Sequence, residues 1–158
     1  MYARAISLLI HFVGVGTLFA TIIAGWIIDG RYRKTTDWHA KLLYLRLLRP
    51  IGLLSPLGIV IMLGSGIANM TISGLGVFSA AWLSVKLVFF ALAVISGILF
   101  GIRGSQRTAL AARLAEGKAP EGAEKKLAAL DRQQRMFYIV QTVLLLIILA
   151  LSILRPAA

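Results

Sequence analysis

The sequence predicts an all-α, integral membrane four-helix bundle, and three observations carry that prediction. Hydrophobic residues make up 59% of the 158 and charged residues only 15%, with a mean hydropathy of +0.86; soluble domains of this length do not have that balance. The apolar residues gather into four blocks, each close to the ~20 residues a helix needs to cross a hydrocarbon core ~30 Å thick. The charges, 17 basic and 6 acidic, lie almost wholly between the blocks. A porin-type barrel, with its short alternating strands, and a disordered chain are both excluded.

The spans are predicted at 5–28, 50–71, 80–102 and 136–154, within a single transmembrane domain covering 1–158. The first begins after one arginine and resembles a signal peptide. Its apolar run is too long for one, continuing to Ile28 before Asp29 and a basic stretch. It is therefore read as a mature helix. Pro50 opens the second, where a missing N–H is harmless, and Pro56 is expected to bend it. Loop 29–49 contains Trp38, Leu42 and Leu45 at helical spacing, which predicts an interfacial helix leading into the second span. Loop 103–135 holds two stretches rich in Ala, Leu, Lys, Arg and Glu, separated by Gly117 to Gly122 with Pro120. These predict two surface helices, or one broken helical hairpin, lying on the cytoplasmic headgroups.

The net charge of +11 would suggest nucleic acid in a soluble protein. Its distribution assigns it another role. Fourteen of the 17 basic residues lie in the two longer loops, whereas the connection 72–79 carries no charge. By the positive-inside rule these loops face the cytoplasm and both termini face outward. The expected setting is the lipid bilayer of a bacterial-type cytoplasmic (inner) membrane, with some attraction to anionic headgroups and no nucleic-acid partner. The chain has no cysteine, which excludes disulfides, thiolate metal sites and cysteine nucleophiles.

Two ionisable residues stand inside spans. His11 lies about six residues into the first helix and Lys86 about six into the third, so both sit roughly 9 Å below the outer boundary at 1.5 Å rise per residue. They can share one layer. Ser7, His11, Gly14, Leu18 and Gly25 fall on one helix face, a composition that admits another helix or a flat ligand. Trp82, Lys86, Phe89, Phe90 and Ala93 are neighbours on the third helix, so the expectation is a basic pair between aromatic walls. The spans contain no aspartate or glutamate. Lys86 is then neutral, snorkels to water and phosphate, or meets the anion of a ligand or partner. A carboxylated ligand explains both residues together, because a neutral imidazole can bind a metal and an ammonium can bind an anion. Packing explains them separately, with Lys86 snorkelling and His11 donating to a backbone carbonyl.

Met70 is the internal candidate for a second soft donor, and His39 belongs to the opposite membrane face. Ser55, Ser65, Ser96, Gln141 and Thr142 can bond back to helix carbonyls or across helices, so no chemistry is assigned to them. The pairs Gly97/Gly101 and Ala20/Ala24, with Gly58, Gly64 and Gly66, predict close helix contacts.

The segments LLIHFVGVGTLF with His11, LRLLRPIGLLSPLGIVIMLGSGI, AWLSVKLVFF with Lys86, and the closing Arg155-Pro156 together resemble the small four-helix membrane proteins that include HemJ-type protoporphyrinogen oxidases and CopD-like families. The resemblance covers all four spans. It implies a first-helix histidine and a third-helix lysine in a W-x-x-x-K-L setting associated with b-type haem, here His11 as metal ligand with Lys86, preceded by Trp82 and followed by Leu87. It also implies membrane oxidoreductase chemistry, with electrons passed from a porphyrinogen to a membrane acceptor. Phe100 and Gly101 stand where the enzyme has histidine or a tyrosine–histidine pair. The last span opens DRQQRMFYIVQ without the enzyme's asparagine, glutamate and proline cluster, and Gly16 and Thr17 stand where its first-helix tryptophan falls. The match is therefore to the wider group, and whether this chain is an enzyme stays open. The different class in view is a non-catalytic accessory subunit of a larger respiratory, photosynthetic or transport complex, or a homo-oligomer.

Overall fold

The computed structural model describes residues 2–74, 76 and 81–154; half of the uncharged connection 72–79 and Arg155-Pro156 lie outside the described residues. Four helices follow in order: α1 Tyr2–Lys34, α2 Trp38–Ile72, α3 Ala81–Ala115 and α4 Ala123–Leu154. Each is long and apolar enough to cross a membrane. α1 packs chiefly on α2 and α3 on α4; α2–α3 and α1–α4 contacts close the ring, and α1 and α3 meet across it through long side chains such as Arg107 on Asp29. The protein is a multi-pass membrane protein built as an antiparallel four-helix bundle.

The outward faces explain why water cannot be the solvent. Leu9, Phe12, Leu53, Val60, Ile67, Val88, Ile98 and Ile153 are all more than half exposed, which in water would be a large apolar patch and in lipid costs nothing. Inside, Leu18, Met62, Phe90, Ala93, Leu145 and Ile148 form the core between the spans. Gly14 and Gly58 set the α1–α2 separation: a Cβ on Gly14 would lie 3.0 Å from the Met62 nitrogen and 3.2 Å from the Gly58 oxygen. The face carrying Gly14 is thus filled by α2 at that position. Gly25 does the same for α1 and α4, lying under the Tyr138 ring.

The helices run 32 to 35 residues, roughly 50 Å, and so overshoot a ~30 Å core. The excess lies at the end carrying the basic loops, called here the basic end; the opposite one, with the N-terminus and the α2–α3 connection, is the short-loop end. Asp37 caps α2, its carboxylate accepting from the Ala40 N–H at 2.8 Å. The helix therefore starts at Trp38, and Pro50 lies in its interior together with Pro56, correcting the expectation that Pro50 opens it. The Trp38 helix is the first part of α2. α3 stops at Gly117 (φ +67°), where Lys118 N–H reaches the Arg113 carbonyl at 2.9 Å.

The second basic segment takes the hairpin form, but not on the headgroups. Its two helical stretches are continuations of α3 and α4, and the apolar stripe of the hairpin is covered by protein. Tyr32, Leu45, Leu110, Ala111, Ala123 and Leu127 make a second buried core there, so this stripe faces α1 and α2, not a headgroup layer.

Candidate functional site

At the short-loop end His11, on α1, and Lys86, on α3, line one cavity of about 40 Å³. The prediction that they share a layer is matched by position, since both side chains reach this one cavity. The other walls come from α1 (Val15, Leu18, Phe19), α2 (Met62) and α4 (Leu145, Ile148, Leu149, Ser152). They are mostly aliphatic. Trp82, Phe89 and Phe90 are absent from them; Phe90 is buried in the core with Leu18, Met62, Leu145 and Ile148, and Phe89 packs against that cluster. The aromatic walls expected around the pair are therefore replaced by branched aliphatic side chains from α4.

The orientation of His11 is set by α2. His11 Nδ1 lies 3.0 Å from the Ser65 hydroxyl, and its Cε1 atom packs toward Gly66, whose missing Cβ would be 3.7 Å away. A Cβ at 66 would make only ordinary van der Waals contact with the ring edge. Ser65 is buried and its hydroxyl donates back to the Ile61 carbonyl at 2.6 Å, while Ser7, one turn before His11, donates to the Ser65 carbonyl at 3.2 Å. Two consecutive turns of α1 thus converge on one serine of α2. Nothing in the sequence singled Ser65 out among the mid-span polar residues. Its only sign was the sequence Gly64-Ser65-Gly66, in which a polar side chain has small neighbours on both sides.

The remaining sequence candidates separate from this site. The methionine at the cavity is Met62; Met70, half-buried eight residues further along α2, is not among its walls. His39 is exposed in the first turn of α2, 3.9 Å from Asp37, at the other end of the bundle. Gln141 and Ser96 bond each other at 3.0 Å, and Gln141 donates to the Ala93 carbonyl at 3.1 Å, joining α3 to α4 in mid-bundle. Ala20 is exposed and Ala24 half-buried. Among the described residues Gly97 meets only the Gln141 amide and Gly101 meets nothing, so this pair makes no close helix contact with them.

The basic end holds a charged cluster that sequence reasoning left in the loops. Arg107, 2% exposed, donates to Asp29 at 2.7 Å and to Asp131 at 2.5 Å. Asp29, 1% exposed, also pairs with Arg33 one turn on. Tyr32 donates to Asp131 at 3.1 Å and lies under the Arg107 guanidinium, 4.2 Å from ring centroid to Cζ. Two cations face two carboxylates, with one side chain each from α3 and α4 and three from α1. The group is locally neutral and fully hydrogen-bonded, the condition under which buried charge is tolerated.

The donor set and the space at the short-loop cavity give different answers for haem. An imidazole held by a hydrogen bond on one nitrogen suits iron on the other, and an ammonium suits a propionate. Among the described residues no three His, Cys, Asp or Glu gather to hold a metal, so a metal here would arrive with ligands of its own. A volume of about 40 Å³ accommodates a carboxylate-sized group, not the body of a macrocycle, since drug-sized ligands take pockets of ~300–1,000 Å³. As shaped, the cavity fits the anionic end of such a ligand and not the whole of it. No family model, curated protein or solved structure matches this chain.

Proposed function

We propose that this protein binds a carboxylated, membrane-borne ligand through His11 and Lys86 at the short-loop end of the bundle, haem b or another porphyrin being the leading candidate and a redox role its consequence. The observation that carries this reading is that the two basic residues inside the spans, distant in sequence, line one cavity. Lys86 would hold the carboxylate and His11 would supply the imidazole donor, the part of the ligand that the cavity does not admit lying outside it. If iron is that centre, the protein is an oxidoreductase of the HemJ-like kind, in a bacterial-type inner membrane with both termini outside. The resemblance of the four spans and the positive-inside distribution support that version. The test is an oxidised-minus-reduced absorption spectrum of protein purified in mild detergent, with haem and protein quantified together. Stoichiometric haem, lost in His11→Ala with helicity retained, is the expected result; full haem retention in that variant removes His11 from the site.

One observation favours a second reading, an accessory subunit in a larger membrane complex or a homo-oligomer. Gly101 and Gly104 have nothing against them on the α3 surface, and small residues on a lipid-facing helix admit close approach by another helix. Native mass measurement after gentle extraction decides it: a persistent partner supports this reading, and recovery of the single chain counts against it.

A further inference from the structure

The hydrogen bonds around Ser65 determine which face of the His11 ring is chemically available. A serine hydroxyl carries one hydrogen and can accept at its lone pairs. The Ser65 hydrogen is committed to α2's own backbone, with the Ile61 carbonyl at 2.6 Å and the Met62 carbonyl at 3.2 Å. Toward His11, 3.0 Å away, the oxygen can therefore only accept. A neutral imidazole has one N–H and one bare nitrogen, and the bond made by one fixes the state of the other. We infer that Ser65 is a positioning residue that holds His11 as the Nδ1–H tautomer, so that the histidine offers an unprotonated Nε2 to the Lys86 cavity.

This divides the labour of the site, and it rests on the ligand reading above only for its consequence. A bare Nε2 lone pair accepts a hydrogen bond or coordinates an electron-poor centre, and it repels an anion. The carboxylate must then fall to Lys86, and the ligand must present a hydrogen-bond donor or a metal centre to His11. A ligand offering only a carboxylate to both residues is refused. Ser7 assists from one turn before: by donating to the Ser65 carbonyl, it ties that turn of α2 to the helix that carries His11.

The experiment uses the full chain, labelled with ¹⁵N-histidine and reconstituted in phospholipid nanodiscs, with long-range ¹H–¹⁵N correlation reporting the protonated ring nitrogen. The chain has two histidines, so His39→Gln assigns the signals. His11 is expected as Nδ1–H in the native chain and in Ser65→Thr, which keeps the hydroxyl. In Ser65→Ala the Nδ1–H signal is lost in favour of Nε2–H, with helicity unchanged. Nε2–H in the native chain, or a tautomer indifferent to Ser65→Ala, overturns the inference. Hemin titration of the same samples separates this from the ligand reading: full hemin uptake by His11→Ala removes that reading and leaves the tautomer result standing.

Discussion

The two ends of the bundle treat ionisable side chains in opposite ways. At the basic end, Asp29, Arg107, Asp131 and Arg33 find one another inside the chain, and Tyr32 supplies a further donor and an aromatic face. At the short-loop end two bases share a small aliphatic cavity, in spans that contain no acidic residue. Removing a charge from water costs several kcal/mol unless it is paired and hydrogen-bonded. A chain that solves this locally has built a joint. At the other end the spans bring two bases to one cavity, and that is where the proposed ligand would bind. Buried charge by itself therefore does not mark function: the most buried ionic group of this protein is a structural joint.

The largest expected effect is at the joint. Arg107→Met leaves Asp29 buried with only Arg33, and should cost about 3–5 kcal/mol, read as a lowered unfolding midpoint in detergent; Arg107→Met with Asp29→Asn should recover part of the loss. An unchanged midpoint in the single variant would break the comparison at its first half. Gly14→Ala comes next. Its new methyl meets backbone at 3.0 Å, for an expected ~1–3 kcal/mol, whereas Gly101→Ala, with nothing opposite, should be neutral or stabilising by up to ~1 kcal/mol. Equal effects at the two glycines would show that α1 and α2 are not held at that separation. Gln141→Leu removes the mid-bundle tie between α3 and α4 and should cost about 0.6 kcal/mol, measured in the same unfolding series. The smallest stability effect belongs to the site itself. Lys86→Gln should stay within ~0.5 kcal/mol of the native chain while weakening the binding of a carboxylated porphyrin at least tenfold, as read by spectroscopic titration. A large loss of stability with unchanged binding would make Lys86 part of the scaffold and erase the contrast between the ends.

Much of the fold was legible because hydrophobicity is a property of composition and spacing. Four blocks of the right length imply four helices, and an even number returns both termini to one end. His11 and Lys86 were legible because ionisable residues inside apolar runs stand out against their neighbours and fall at matching depths. The basic-end joint was not. Arg107, Leu110, Ala111 and Leu114 follow helical spacing, as do Ala123, Leu127 and Leu130, but an amphipathic stripe does not say whether it will meet lipid headgroups or another helix. Arg107 read as one more charge in a basic loop, and its partners Asp29 and Asp131 are 78 and 24 residues away. Ser65 was equally hidden, since a serine in a membrane helix ordinarily bonds back to its own turn, and this one does so while also receiving the histidine.

The sequence by itself determined that the chain crosses a membrane four times as helices and that two bases lie at one depth, because the energy of placing apolar and charged groups in hydrocarbon depends on residue type alone. Only the tertiary structure decided which side chains fill the space around those bases, that Phe89 and Phe90 go to the core instead, and that the basic segments fold onto themselves. Those outcomes depend on how the helices are rotated and spaced. Contacts such as Gly14 on Gly58 and Gly25 under Tyr138 fix that rotation and spacing, and they arise only when helices far apart in sequence meet.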